Sequence, residues 1–242
     1  MPRTKQCLIV AAGYGSRLRP ISSSRPKPLV KFQGRPILEH VMLRAEEAGI
    51  EEFVIVLGYR GDMIREWFER RWRGRARLSW VFNPDYHKSN GVSVLQARDA
   101  IHDNFLLLMA DHLFEPEMAR MMVQQELAPG EVILAVDRKI DDIFDIDDAT
   151  KVRRSGDRIV AIGKELAEFD AIDTGMFLCS PALFDELDAA ARQGDCSLSD
   201  GMRRLASRGL FRARDIGDAE WYDLDTPEAF AHAEAESLVY AA

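Results

Sequence analysis

Closely spaced glycines, a run of cations without an acid among them, and three aspartates much further along are the residues of this chain best suited to chemistry. The stretch Ala11-Ala12-Gly13-Tyr14-Gly15-Ser16-Arg17-Leu18-Arg19-Pro20 follows an apolar run. Glycines there let backbone N–H groups approach an anion without obstruction, as a phosphate loop requires. A dinucleotide fingerprint would need a third glycine where Leu18 stands, and a Walker loop would need Gly-Lys-Ser/Thr, so both common alternatives fail on residues. Between Tyr14 and Leu38 lie Arg17, Arg19, Arg25, Lys27, Lys31 and Arg35 with no acidic residue, a local +6 in a chain of net charge −8. Pro20, Pro26 and Pro28 oppose helix in this segment. A stiff extended loop of this kind lets Arg17 and Lys27 converge on one polyphosphate.

The complementary residues are carboxylates. Asp111 follows the apolar run Phe105 to Met109 after a single alanine. That places it at a strand's carboxyl end, the edge where ligands bind in open α/β sheets and where the glycine loop also lies. In Trp221-Tyr222-Asp223-Leu224-Asp225, alternation puts Asp223 and Asp225 on one side of an extended segment. Mg²⁺ takes hard oxygen ligands and is commonly held by one or two carboxylates plus substrate phosphates, so Asp111, Asp225 and Asp223 suffice. His112 raises a zinc reading, but no second His or Cys has suitable spacing, and none of the five histidines is assigned to a metal. Taken singly, Asp111 could begin a turn, and Asp223 or Asp225 could cap the final helix; together with the basic loop they form two halves of a metal–polyphosphate site.

Apolar runs alternating with amphipathic stretches must position these groups. Strands are expected at Gln6–Ala11, Phe53–Leu57, Leu78–Phe82, Phe105–Met109 and Val132–Val136, with helices at Pro36–Ala48, Asp62–Trp72 and Glu115–Leu127. The second half reads as extended pieces at Arg158–Ile162 and Asp173–Cys179, then helices near Pro181–Arg192 and Leu198–Ser207. A closing helix follows Thr226-Pro227-Glu228, with Thr226 as cap and Pro227 in the first turn. The pattern gives an α/β fold with a mostly parallel sheet and helices on both faces. The 242 residues are 47% hydrophobic and 30% charged, which supports a packed core and excludes a disordered or collagen-like chain. No repeat or long Pro/Gly/Ser linker divides the chain, so one domain is expected over 1–242, with a first part of about 1–136 and a modified second part of about 137–242.

Composition also limits partners and compartment. Net negative charge argues against coating nucleic acid or anionic lipid through bulk attraction. Arg70, Arg71, Arg73, Arg75 and Arg77 follow Trp67, Phe68 and Trp72, and read best as a helix that buries its aromatics and carries cations near its negative end. The acidic stretch Asp141, Asp142, Asp145, Asp147 and Asp148 lacks the pattern of a calcium loop and reads as a solvated turn. Cys7, Cys179 and Cys196 form neither a CxxC pair nor an even set, which points to a reducing cytoplasm, and no export or membrane-inserting segment is expected.

Ala11 to Leu18 together with Arg25-Pro26-Lys27-Pro28-Leu29 resembles the signature of the nucleotidyltransferases that make nucleotide-activated sugars and alcohols, with Ser16 where sugar-specific members frequently have threonine. Ser89-Asn90-Gly91-Val92-Ser93, Met109 to His112, Ile162-Gly163-Lys164, Ile172-Asp173-Thr174-Gly175 and Trp221 to Thr226 are similar to inositol-1-phosphate cytidylyltransferases and, less closely, to phosphocholine cytidylyltransferases. Sugar-specific relatives usually show Gly-Asp-Asn where this chain has Ala110-Asp111-His112, and Val92 stands where inositol-type relatives tend to carry an aromatic residue.

The resemblance implies a Rossmann-like, GT-A-like nucleotidyltransferase fold spanning almost the whole chain. It implies a nucleotide, CTP, over Ala11, Ala12, Gly13, Gly15 and Ser16, with Asn90 and Gly91 flanking the base, although Asn90-Gly91 also suits a turn. Lys164, Asp173, Thr174 and Gly175 would contact the phosphorylated alcohol, most simply inositol 1-phosphate, although Gly163-Lys164 also suits the end of a strand. The expected catalytic pair is Lys27 at the α-phosphate and Arg17 at the departing β and γ groups. Mg²⁺ would be the cofactor, and the CDP-alcohol product would pass to a membrane CDP-alcohol phosphotransferase. Open alternatives are a sugar-1-phosphate enzyme using UTP or dTTP, a phosphocholine-type enzyme, and a non-catalytic nucleotide-sensing module.

Overall fold

A computed structural model of the chain describes residues 4–22 and 24–236; the side chain of Arg19 lies outside the described set. The first half runs β1 (Gln6–Ala11), α1 (Arg19–Ser22), β2 (Lys31–Phe32), β3 (Arg35–Pro36), α2 (Ile37–Glu47), β4 (Glu52–Leu57), α3 (Gly61–Arg71), β5 (Arg77–Phe82) and α4 (Asn90–Leu95). It continues with β6 (Phe105–Met109), β7 (His112–Phe114), α5 (Pro116–Val123) and β8 (Val132–Asp137). The second half contains β9 (Lys151–Ser155), β10 (Arg158–Gly163), β11 (Ala171–Cys179), α6 (Ala182–Ala190) and α7 (Leu198–Ser207), and closes with β12 (Phe211–Asp215), β13 (Trp221–Asp223) and α8 (Pro227–Ala235). The expected start of α8 is present: Thr226 Oγ1 accepts from Ala229 N–H at 3.1 Å, and Pro227 occupies the first turn.

The main sheet has nine strands in the order β5-β4-β1-β6-β11-β8-β12-β10-β9. Its first four strands are parallel, and β12 runs parallel to β8. β11 is antiparallel to β6, β8 and β9, and β10 is antiparallel to both neighbours. Parallel pairing therefore belongs to the βαβ half, and the fold is a mixed α/β one. Along β1, Cys7, Ile9 and Ala11 join one core cluster and Leu8 joins the other. Residues of α2, α3 and α5 fill the first cluster and residues of α4, α6 and α7 the second, so helices cover both faces. Among the described residues no helix is long and apolar enough to cross a membrane.

Three details position the site. β1 lies between β4 and β6, so the loop after β1 and the residues after β6 emerge side by side at the strands' carboxyl ends. Antiparallel pairing of β7 with β13 sets Asp223 opposite His112, and Leu224 N–H donates to the Asp111 carbonyl at 3.0 Å. β11 breaks register against β8 between Asp173 and Phe177, where Gly175 has φ +74°. A register break of this kind re-aims side chains, here into the same neighbourhood.

Candidate active site

Lys27 is the centre of the arrangement. It sits in the turn Lys27–Leu29, is 7% exposed, and donates to Asp111 Oδ2 at 2.5 Å and to Asp225 Oδ1. An unpaired ammonium at this depth would cost several kcal/mol, and the two carboxylates are the partners that offset it. Gly15 makes room for it: at φ +57°, a Cβ on Gly15 would come within 2.5 Å of the Lys27 Cβ. Arg17 reaches the same group, pairing with Asp225 and with Asp148 Oδ2 at 2.7 Å. Asp148 Oδ1 in turn accepts from Lys164 Nζ at 2.6 Å. Arg17, Asp111, Asp148, Lys164, Asp173 and Asp225 line one cavity of about 750 Å³, within the usual range for small-molecule pockets.

Next to Asp111, His112 Nδ1 lies 2.9 Å from Asp111 Oδ1 and 3.9 Å from Asp223 Oδ1, and its ring stacks on Trp221 at 5.7 Å between centroids. Trp221 is fixed from the other side, donating through Nε1 to Asp137 Oδ2 at 2.9 Å. Gly175 lets the His112 ring approach β11, because a Cβ there would meet His112 Cδ2 at 2.6 Å.

Burial works against the charge on Asp111, His112, Asp148, Asp173 and Asp223, and neighbours outweigh it at the first three only. Burial pushes the Asp111 carboxyl up, but the Lys27 ammonium and the His112 ring outweigh it and hold it well below the usual carboxylate range. Burial disfavours the His112 imidazolium, yet the carboxylates of Asp223 and Asp111 raise it to about 9. Asp223 is raised by its own burial, with His112 opposing and Asp111 reinforcing the shift. Asp173 is pushed up to about 6 by burial, against the Gly175 N–H that donates to it and the charge on His112. Asp148 is lowered because hydrogen bonds from Lys164 and Arg17 exceed its burial cost.

The donor set fits a hard divalent cation on three observations. Three carboxylates converge, the Lys27 ammonium already occupies a cation position between Asp111 and Asp225, and the buried Asp223 Oδ1 has no hydrogen-bond partner. Ligand atoms of Asp111, His112 and Asp223 lie within 4.8 Å of one another. His112, which the sequence reading left out of any metal set, is thus a neighbour of the carboxylates, while Asp225 faces Lys27 and Arg17.

Other expected site residues divide. Asp173 and Gly175 line the cavity, whereas Thr174 is 2% exposed and spends its hydroxyl on the Ala135 carbonyl at 2.9 Å, so its side chain faces the core. Asn90 lines the cavity but accepts from Leu198 N–H at 2.8 Å, and it opens α4 rather than a turn. Gly91 permits close packing, since a Cβ would lie 2.6 Å from the Cys196 carbonyl oxygen. Ala11 and Ala12 are buried, while Gly13 and Ser16 are exposed with open space around Gly13. Asp148 is the residue the sequence reading missed: its acidic run looked like a solvated turn, and nothing in its spacing signals a partner 131 positions away.

The sequence matches the family described as "MobA-like NTP transferase domain" over residues 7–210. A Rubrobacter xylanophilus protein named "Bifunctional IPC transferase and DIPP synthase" is 36% identical over 97% of this chain and 52% of its own length. The protein of that name from Thermococcus kodakarensis is 32% identical over 95% of this chain and 50% of its length. The chain thus spans about half the length of these curated relatives. The inositol-1-phosphate CTP transferase from T. maritima superposes with a TM-score of 0.83 at 25% identity, covering 94% of this chain and 92% of that one.

Proposed function

The chain belongs to the MobA-like NTP transferase family, and from that premise we propose that it transfers a cytidylyl group from CTP to a phosphorylated alcohol, with inositol 1-phosphate as acceptor, releasing pyrophosphate. The observation that carries this reading is that Arg17, Asp111 and Asp225 line one cavity, with the Lys27 ammonium held beneath it by the same two carboxylates. The names of the similar proteins support the cytidylyl group and the inositol phosphate.

In the proposed reaction an oxygen of the acceptor phosphate attacks the α-phosphorus of CTP, the bond to the bridging oxygen breaks, and pyrophosphate departs. A phosphate monoester has its second pKa near 6, so the nucleophile is largely dianionic at neutral pH and needs no general base. The barrier is repulsion between anions and charge gathering on the leaving group, which preorganised cations reduce. Asp111, with Asp225 and Asp223, would hold Mg²⁺, and the ion would supply charge neutralisation to the triphosphate. Lys27 faces the α-phosphate, Arg17 the departing groups, and Lys164 the acceptor phosphate. Arg17 and Lys164 must exchange Asp148 for substrate oxygens. Asp173 sits where a carboxylate could accept from acceptor hydroxyls.

We assign the nucleotide to about 1–136 and the acceptor to about 137–242 within one domain. The product would serve a membrane CDP-alcohol phosphotransferase. The test is pyrophosphate release across CTP, UTP, dTTP and ATP with a panel of phosphorylated alcohols and sugars. CTP with inositol 1-phosphate should exceed every other pair. A UTP or dTTP preference with a sugar 1-phosphate would overturn the acceptor and base, and binding without turnover would overturn catalysis.

A further inference from the structure

The basic segment between Tyr14 and Leu38 serves two places. Arg17 and Lys27 reach the carboxylates, but Arg25, Lys31 and Arg35 line a separate cavity of about 580 Å³ that shares no lining residue with the first. The opposite wall is α3, which contributes Met63, Trp67, Arg70 and Arg71. The arginine run that looked like a mere helix end therefore supplies two cations to a concave site. Against five cations the cavity offers only Glu39 and Glu66. Their pairs are long, 3.9 Å from Arg35 and 3.7 Å from Arg70, and among the described residues Arg25 and Lys31 make no ion pair. Gathering like charges in a concave surface is unfavourable by itself, and the same field attracts an anion that joins them. The Arg71 guanidinium lies 5.7 Å from the Trp67 ring centroid, and Met63 is exposed, so one flank is flat and apolar.

We propose that this groove is a second binding site, taking a small polyanion: a metabolite with two or more phosphate or carboxylate groups, its remaining body resting on Trp67 and Met63. The concavity and its volume, within the usual range for small-molecule pockets, favour a compact ligand over a planar lipid surface. Leu29, in the same turn as Lys27, forms part of the wall. A ligand here touches the turn that carries the central ammonium.

The test is calorimetric titration of the full chain with inorganic pyrophosphate in chelator at low salt, comparing the parent, Lys31→Ala/Arg70→Ala and Lys27→Ala. Lys31 and Arg70 are exposed and absent from the first cavity, so the double variant should fold and keep the parent rate of turnover. The expected result is a binding event that persists in Lys27→Ala and weakens about tenfold or more in the double variant, as loss of charge-assisted contacts requires. Equal affinity in parent and double variant, or loss confined to Lys27→Ala, overturns the proposal. So does the absence of that binding alongside co-sedimentation with phosphatidylglycerol vesicles that depends on Lys31 and Arg70, which would assign the patch to a membrane surface.

Discussion

Replacing Asp173 by asparagine should make this protein more stable at alkaline pH while impairing its reaction. The Asp173 carboxyl is raised by burial from 3.8 to about 6 in the folded chain. A raised folded value means that proton uptake favours the native state fully below the unfolded pKa, and that this contribution is lost as pH rises through about 6. At pH 8 the folded chain therefore carries the whole cost of a buried carboxylate. The shift corresponds to an upper bound of about 3 kcal/mol, reduced because the side chain keeps some solvent contact, so about 1–3 kcal/mol is expected. Asparagine retains an oxygen to accept from Gly175 N–H, a bond of 2.7 Å here, and discards the charge. Thermal unfolding of parent and Asp173→Asn should thus show a gain of roughly 3–8 °C at pH 8, falling to about half at pH 5. A loss of stability at pH 8, or a gain that does not change with pH, would refute the reasoning. The same substitution should raise KM for the acceptor, the trade expected of a carboxylate kept charged for function.

Asp148→Asn should lower KM for phosphate-bearing substrates about 3–10-fold by removing the carboxylate that occupies Arg17 and Lys164; an unchanged or higher KM in steady-state kinetics would contradict that. Gly15→Ala places a Cβ against Lys27 at a positive φ, so a stability loss of about 1–2 kcal/mol in urea unfolding and a larger fractional loss of turnover are expected. Turnover at wild-type stability would show that the loop has another way to seat Lys27. Chelation should abolish pyrophosphate release while leaving the circular dichroism spectrum intact, because the carboxylates are already compensated by Lys27 and Arg17; activity undiminished in chelator would exclude a divalent cation.

The βαβ half was legible because its signals are local. Buried strands such as Phe105–Met109 read as apolar runs, and the helix expected from Pro36 is present one residue later, with Pro36 as its cap. Local signals fail where pairing is distant or charged. β9 (Lys151–Ser155) and β12 (Phe211–Asp215) carry arginines on partly exposed faces and show no apolar run. The pairing of β7 with β13 that sets Asp223 beside His112 joins segments about a hundred residues apart, and nothing in either announces the other. Thr174 illustrates the converse: its neighbours Asp173 and Gly175 face the cavity, but the alternation of a strand turns the residue between them into the core. Asp148 could not be distinguished from the other acids of its run without knowing that Arg17 and Lys164 flank it.

The central claim, that Asp111 and its neighbouring aspartates complete a site whose other half is Lys27 and Arg17, is tested most directly by one comparison. Pyrophosphate release from CTP and inositol 1-phosphate with Mg²⁺ is measured for the parent and for Asp111→Asn, each confirmed folded. Loss of one preorganised electrostatic group predicts a fall in turnover of about 10²–10³-fold. Turnover of Asp111→Asn at the parent rate would contradict the account.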